Sequence, residues 1–170
     1  MKIAVNTNAR YVISTGHASF IMSSNLNNDI LQSAISYLAR REHSTKELSY
    51  KLANKGFVAI DIAPVLAHLQ QSNYLSDERY GESLINRRVS RGYGWRYISQ
   101  ELRHNGLTDE IISNLSKNWQ IDWYLQVELA YNRRFGDAEI KDHKDKAKRI
   151  RFLQQRGFSS EQIFSLDALK

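Results

Sequence analysis

A six-residue signature recurs three times in this chain: Leu52-Ala-Asn-Lys-Gly56-Phe57, Leu102-Arg-His-Asn-Gly106-Leu107 and Leu153-Gln-Gln-Arg-Gly157-Phe158. The shared pattern is Leu-x-x-x-Gly-apolar, with glycines 50 and 51 residues apart. A period of this size marks a tandem array of supersecondary units, each too small to bury much apolar surface alone. Five residues after each apolar position stands Ile62, Ile112 or Ile163, and three further on Val65, Leu115 or Leu166. That is a helical i, i+3 stripe. Upstream, Arg40-Arg41, Arg87-Arg88 and Arg133-Arg134 each end an apolar helical segment. The spacing from arginine pair to leucine grows from 11 to 14 to 19 residues, and the loop joining first and second helices is expected to absorb the growth. Each unit therefore reads helix, loop, helix, glycine turn, helix.

Local chemistry agrees with these boundaries. Ser44 with Glu47, and Ser159 with Gln162, have capping-box spacing, and Ser76 and Thr108 can cap the helices that follow them. Asp77-Glu78 and Asp109-Glu110 then fall at positive helix starts, which explains these acid pairs without invoking acid–base catalysis. Eight glycines and one proline, Pro64, supply too few turns for an all-β domain. The expected fold is all-α: three tandem three-helix repeats, at residues 29–72, 73–121 and 122–170, forming an elongated, curved array.

Residues 1–28 carry only Lys2 and Arg10 as charges and are expected to be an extension or flexible arm outside the array. Met22, shortly before the first helical pattern at Asp29, is an alternative to Met1 as the translation start. Asn6, Asn8 and Arg10 interrupt any export signal, no 18-residue apolar run is present, and cysteine is absent. A cytoplasmic location, with no membrane partner, is the corresponding expectation.

Twenty-four Lys and Arg against 18 Asp and Glu give a net charge of +6, which fits an anionic partner. Phosphate-loop, dinucleotide, zinc-protease and serine-hydrolase motifs are all missing from the sequence. The histidines at 17, 43, 68, 104 and 143 have no metal-ligand spacing, and His43 and His104 read as solvent-facing. Arg91-Gly-Tyr-Gly94 reads as a loop with two permissive backbone positions rather than a phosphate cradle. No enzyme activity, metal or cofactor is expected.

The cations cluster in two places. At 100° per residue, Ala147, Ile150 and Leu153 mark the buried face of the third unit's middle helix, while Lys141, Lys144, Lys148 and Arg151 form a ridge roughly opposite. In the central unit, Arg87, Arg88, Arg91, Arg96 and Arg103 accompany Tyr93, Trp95 and Tyr97. Arginine forks and rigid rings suit phosphates or acidic protein surfaces, although Trp95 and Tyr97 fit a core equally well. Tyr80 with Leu84 and Ile98 with Leu102 read as core, and Trp119 with Trp123 as packing between second and third units. A helix-turn-helix reader is the rival architecture. Its reading helices, Phe57–Ala63, Leu107–Asn114 and Phe158–Leu166, contain no Lys or Arg and carry Asp61, Asp109, Glu110 and Glu161, which repel phosphate.

The stretches Tyr74-Leu-Ser-Asp-Glu-Arg-Tyr-Gly-Glu-Ser83, Arg87-Arg-Val-Ser-Arg-Gly-Tyr-Gly94, Ile98 and Glu101-Leu-Arg-His-Asn-Gly106 resemble the RecX family of bacterial recombinase regulators. Ala39-Arg-Arg-Glu-His-Ser44, Glu47-Leu48, Phe152-Leu153 and Arg156-Gly157-Phe158 are similar to its flanking repeats, so the resemblance covers residues 30–170. It implies tandem three-helix repeats and a non-enzymatic inhibitor of the RecA recombinase. Such a protein would lie in the groove of the RecA filament on single-stranded DNA, suppressing strand exchange and ATP hydrolysis in recombination and DNA repair. Contacts to single- or double-stranded DNA would go through phosphates, and a monomer is the favoured state. A general DNA-binding helical protein without a recombinase partner is the alternative.

Overall fold

Three helices end on the recurrent glycines, and they end alike. A computed structural model describes residues 16–169, with side chains described from Asn27 onward. Its α-helices are α1 (Gly16–Leu38), α2 (Thr45–Asn54), α3 (Ala59–Gln71), α4 (Asp77–Val89), α5 (Trp95–His104), α6 (Asp109–Asn118), α7 (Trp123–Phe135), α8 (His143–Gln155) and α9 (Ser160–Phe164). A 3₁₀ turn at Asp167–Leu169 follows. After α2, α5 and α8, Gly56, Gly106 and Gly157 take φ of +100°, +91° and +86°. Each glycine N–H donates to the carbonyl three residues back, and the next N–H reaches the signature leucine's carbonyl at 3.3, 3.2 and 3.2 Å. This is the Schellman arrangement, in which a left-handed residue ties off the free carbonyls of a helix end. The signature is its chemical requirement written out.

The helices pack in triplets, each around its own core. Leu52 and Ile62 belong to the first core, Leu102 and Ile112 to the second, Leu153 and Ile163 to the third, with the post-glycine residues Phe57, Leu107 and Phe158 packed alongside. Full burial of each such side chain contributes about 1.5–3 kcal/mol. Tyr80, Leu84, Ile98 and Leu102 are buried as expected, and half-buried Trp123 packs on both the second and third cores. Trp119 packs on the second. Side chains of Ser44, Ser76, Thr108, Asp122, Asp142 and Ser159 accept the first free N–H groups of the helices they precede, and Gln162 completes a full capping box with Ser159.

Successive units meet end to end through their middle helices. The turn after α5 lies against the start of α2: Ser44 Oγ donates to the Asn105 carbonyl and Lys46 Nζ to the His104 carbonyl, both at 2.7 Å. Nearby, the Thr45 N–H donates to Asp77 Oδ1 at 2.8 Å, and Arg79 Nε donates to Glu42 Oε1 at 3.0 Å. The turn after α8 meets the start of α5 in the same sense, with Gly94 N–H on the Arg156 carbonyl at 2.8 Å and Arg96 N–H on the Gly157 carbonyl at 3.1 Å. Carbonyls at a negative helix end thus face donors at a positive one, twice in a row.

Four expectations need correction. The loops between first and second helices vary little, at residues 39–44, 90–94 and 136–142; the spacing grows mainly through the register of the arginine pairs and the longer α8, with two residues added by the last loop. With 13 residues against 10 in α2 and α5, α8 is about one turn longer. The first helix begins at Gly16, not Asp29, since neither glycine nor proline interrupts the chain between Gly16 and Gly56. Residues 1–15, and with them most of the proposed upstream extension, lie outside the described residues. His43 is buried at 2 % exposure rather than solvent-facing, because its loop is drawn into the joint by Ser44. Its Nδ1 stands 3.1 Å from Glu47 Oε2.

The fourth correction concerns α8. Ala147 is exposed, and the buried face carries Arg149 with Leu153. A cation can be buried there because every donor is used. Arg149 Nε and Nη2 donate to Asp145 Oδ2, Nη1 to Tyr131 Oη and the Ala138 carbonyl, and Nη2 to the Glu139 carbonyl, at 2.6–3.0 Å. The hydrogen bonds to Asp145 outweigh desolvation and hold the guanidinium above its ordinary pKa. This residue fastens the loop ahead of α8.

Candidate partner-binding interface

The ridge of α8 survives as a face even though its buried side was misplaced. Lys144, Lys148 and Arg151 project opposite Arg149 and Leu153 and are all exposed. Lys141 precedes the helix, in the loop ahead of the Asp142 cap, and is exposed as well.

Beside this ridge runs a cleft where the second and third units meet. Two adjoining cavities of about 210 and 190 Å³ share Arg134 and Phe152. Lys148 and Arg151 line the first, Arg91 and Arg133 the second. Phe135 and Phe152 lie edge to face at 5.4 Å between centroids and give the cleft an aromatic floor. Cationic walls over an apolar floor can hold an extended anion, whether a phosphate backbone or an acidic peptide segment.

Two arginines assemble the cleft rather than wait for a ligand. Arg156 Nη1 donates to the Arg91 carbonyl at 2.6 Å, with its guanidinium 4.6 Å from the Tyr93 ring centroid and 4.9 Å from that of Phe152. Arg133 Nη1 donates to the Ser90 carbonyl at 2.9 Å. Both reach carbonyls at the start of the loop after α4 from the neighbouring unit, which brings Arg91 to the third unit's cations.

The other central-unit candidates divide by exposure. Arg88 forks onto Glu101 at 2.6 and 2.7 Å and stacks near Tyr93 and Tyr97, so its charge is engaged within the unit. Those hydrogen bonds raise its pKa above the usual guanidinium value. Tyr93 lies 4.3 Å from Tyr97 between centroids, and Trp95 is half-buried 6.2 Å from Trp123. Arg87 is half-buried on α4. Arg96 and Arg103 are exposed, seven residues apart on one face of α5, with Arg103 Nε donating to Asp109 Oδ1 at 2.8 Å. Of the central arginines, Arg91 is the one that lines the same cleft as third-unit cations. The sequence reading did not include Arg133, Arg134 or Arg156 among site residues, and the arginine pair at the end of α7 was the signal available.

Comparison with known proteins places this architecture. Models for the first, second and third three-helix domains of RecX match residues 31–69, 76–114 and 127–166. Regulatory protein RecX of Vibrio parahaemolyticus is 38% identical over 132 residues, covering 78% of this chain and 85% of the relative. Its counterpart in Herbaspirillum seropedicae is 41% identical over 130 residues, covering 76% and 83%. A crystal structure of RecX from Lactobacillus salivarius superposes with a TM-score of 0.65 at 17% identity, over 84% of this chain and 94% of that one. A second regulatory RecX structure gives 0.72 at 16%, over 91% and 77%. The chain belongs to the RecX family of regulatory proteins.

Proposed function

We propose that this chain inhibits the RecA recombinase by lying along the groove of the RecA–DNA filament, where it hinders strand exchange and ATP hydrolysis. Membership of the RecX family supports a regulatory role, and the cationic cleft between the second and third units supports a polymeric, anionic target. The cleft carries the reading. Its exposed cations, Arg91, Arg134, Lys148 and Arg151, would engage phosphate or acidic protein along the groove, while Arg96 and Arg103 on α5 extend the contact. Several modest contacts made along one rigid row add through effective concentration, which favours a filament over free subunits. A body wedged there would exclude the incoming duplex and restrain the subunit movement that accompanies ATP turnover. No helix of the described residues is long and apolar enough to cross a membrane.

General DNA binding without a recombinase is the second reading, favoured by the net charge alone. The described third helices α3, α6 and α9 open with Asp61, Asp109 with Glu110, and Glu161, so they are poor readers of a DNA groove. Salt titration of binding to bare and to RecA-coated single-stranded DNA separates the readings. A filament inhibitor binds the coated strand more tightly at equal salt. Affinity lost on coating would overturn that reading.

A further inference from the structure

The inner part of the cleft gathers positive charge that nothing among the described residues neutralises. Its cavity of about 190 Å³ is lined by Arg91, Arg133, Arg134 and Arg156 around Ala130 and Phe152, and no acidic side chain stands in its wall. Elsewhere Arg41, Arg79, Arg88, Arg103 and Arg149 each meet a carboxylate: Glu47, Glu42, Glu101, Asp109 and Asp145 in turn. Among the described residues, none of the cavity's arginines has such a partner. Clefts walled by one sign of charge focus the field on a counter-ion.

These arginines arrive from different parts of the fold, which holds them together. Arg133 and Arg134 stand in the last turn of α7, Arg156 follows α8, and Arg91 lies in the loop after α4. Buried Gly92, with a φ of +78°, lets that loop close on α7, where an added Cβ would stand 3.3 Å from Ala130 Cβ. One nitrogen each of Arg133 and Arg156 is committed to the Ser90 and Arg91 carbonyls. A guanidinium carries several N–H donors, so both keep some for a ligand. No hydrogen bond among the described residues engages the side chain of Arg91 or Arg134.

We propose that this cavity is a seat for linked phosphoryl groups, built jointly by the second and third units. A carboxylate is planar, and a single arginine fork satisfies it. Donors converging from a loop, a helix end and a helix cap suit tetrahedral groups instead, whose oxygens point several ways. Ala130 and Phe152 keep the surroundings apolar, which strengthens the attraction. Lys148 and Arg151 line the adjoining cavity, which shares Arg134 and Phe152, so the cationic path continues past a single phosphoryl group. Linked phosphoryl groups are supplied by a nucleic-acid backbone or by the polyphosphate of a nucleotide. The proposal rests on the reading of the cleft as the site of an anionic target, and narrows that target to phosphate.

Calorimetric titration of the full chain with tripolyphosphate, at fixed ionic strength and without recombinase, tests this. A saturable site is expected. Arg91→Gln with Arg134→Gln should weaken it at least about tenfold with helicity unchanged. Arg40→Gln with Lys117→Gln removes the same charge at exposed positions that do not line the cleft, and should bind within about twofold of wild type. Competition identifies the source of the phosphate: displacement by a thymidine oligonucleotide marks a nucleic-acid backbone, and displacement by ATP but not by the oligonucleotide marks a nucleotide. The proposal is overturned by the lack of a saturable site, by equal weakening in both double variants, by displacement with neither competitor, or by tighter binding of a glutamate peptide. Because the titration contains no recombinase, such a failure leaves filament inhibition to be judged separately, by RecA turnover.

Discussion

Gly94 and Gly157 meet backbone to backbone across the boundary between the second and third units, where a Cβ on Gly94 would stand 2.6 Å from the Gly157 carbonyl oxygen. Gly94 has an ordinary φ of −87°, so alanine is disfavoured there by the neighbour and not by its own backbone. Gly94→Ala should cost about 1–3 kcal/mol of stability, as overpacking does, while helix content is retained. Gly56→Ala, at a φ of +100° with none of the described residues within 4 Å of the added Cβ, should lose about 1–2 kcal/mol for the left-handed backbone alone. Gly157→Ala carries both penalties and should lose more than Gly56→Ala, as read by urea denaturation.

Arg149→Leu should be among the most damaging single changes in the third unit. It strips the Ala138 and Glu139 carbonyls and Tyr131 Oη of their donor and leaves Asp145 without its partner, at a cost of about 3–5 kcal/mol. Lysine should not rescue it, since a single ammonium cannot reproduce a fork of five hydrogen bonds. Thermal unfolding of both variants, with near-equal losses, is the expected result.

Stability should fall on mild acidification because of His43. Burial lowers its pKa; Glu47 pulls it up, and Arg41 and Lys51 push it down again, with the net shift downward. The unfolded chain then takes up a proton near the ordinary value of about 6.5, where the folded chain does not, so stability is full above that pH and declines below it. Glu47 adds a second, more acidic limb. Burial opposes its ionisation, but Arg41 and His43 prevail and hold it below the usual carboxylate range. Its contribution is complete above the unfolded glutamate value and disappears as pH drops through the folded one. His43→Gln should flatten the dependence between about pH 5 and 7 and leave a weaker acid limb, held by the Arg41 hydrogen bond to Glu47. An unaltered slope in that window would show that His43 does not titrate with folding.

The exposed cations should matter to binding and not to folding. Lys148→Glu with Arg151→Glu should change stability by no more than about 0.5 kcal/mol, because both side chains are exposed. Arg156→Ala removes a hydrogen bond to the Arg91 carbonyl and stacking on Tyr93 and Phe152, and should cost about 1–3 kcal/mol. Denaturation curves of the two variants, compared with wild type, separate the charges proposed to meet the partner from the one that assembles the cleft.

The parts of this molecule that were legible in the sequence are those that local rules determine. Leu52, Gly56 and Phe57 and their two sister sets define a helix end, its turn and a core position within six residues, so the triplets could be read directly. Apolar periodicity misplaced the face of α8 at Ala147 because a fully bonded Arg149 takes the buried position, and no apolar count registers it. His43 was missed for a related reason, since its burial depends on Ser44 reaching Asn105, 61 residues away. The cleft formed by Arg91, Arg134 and Lys148 exists only once the second and third units are stacked. Asp77, explained by its helix start, also binds Thr45 of the first unit.

ATP hydrolysis by the cognate RecA on single-stranded DNA, with and without this chain, tests the central claim most directly. The wild type should suppress turnover, and the Lys148→Glu, Arg151→Glu double variant should suppress it at least about tenfold less effectively at equal concentration. Turnover unaffected by the wild type would contradict a filament inhibitor, and full suppression by the variant would contradict the role given to the cleft.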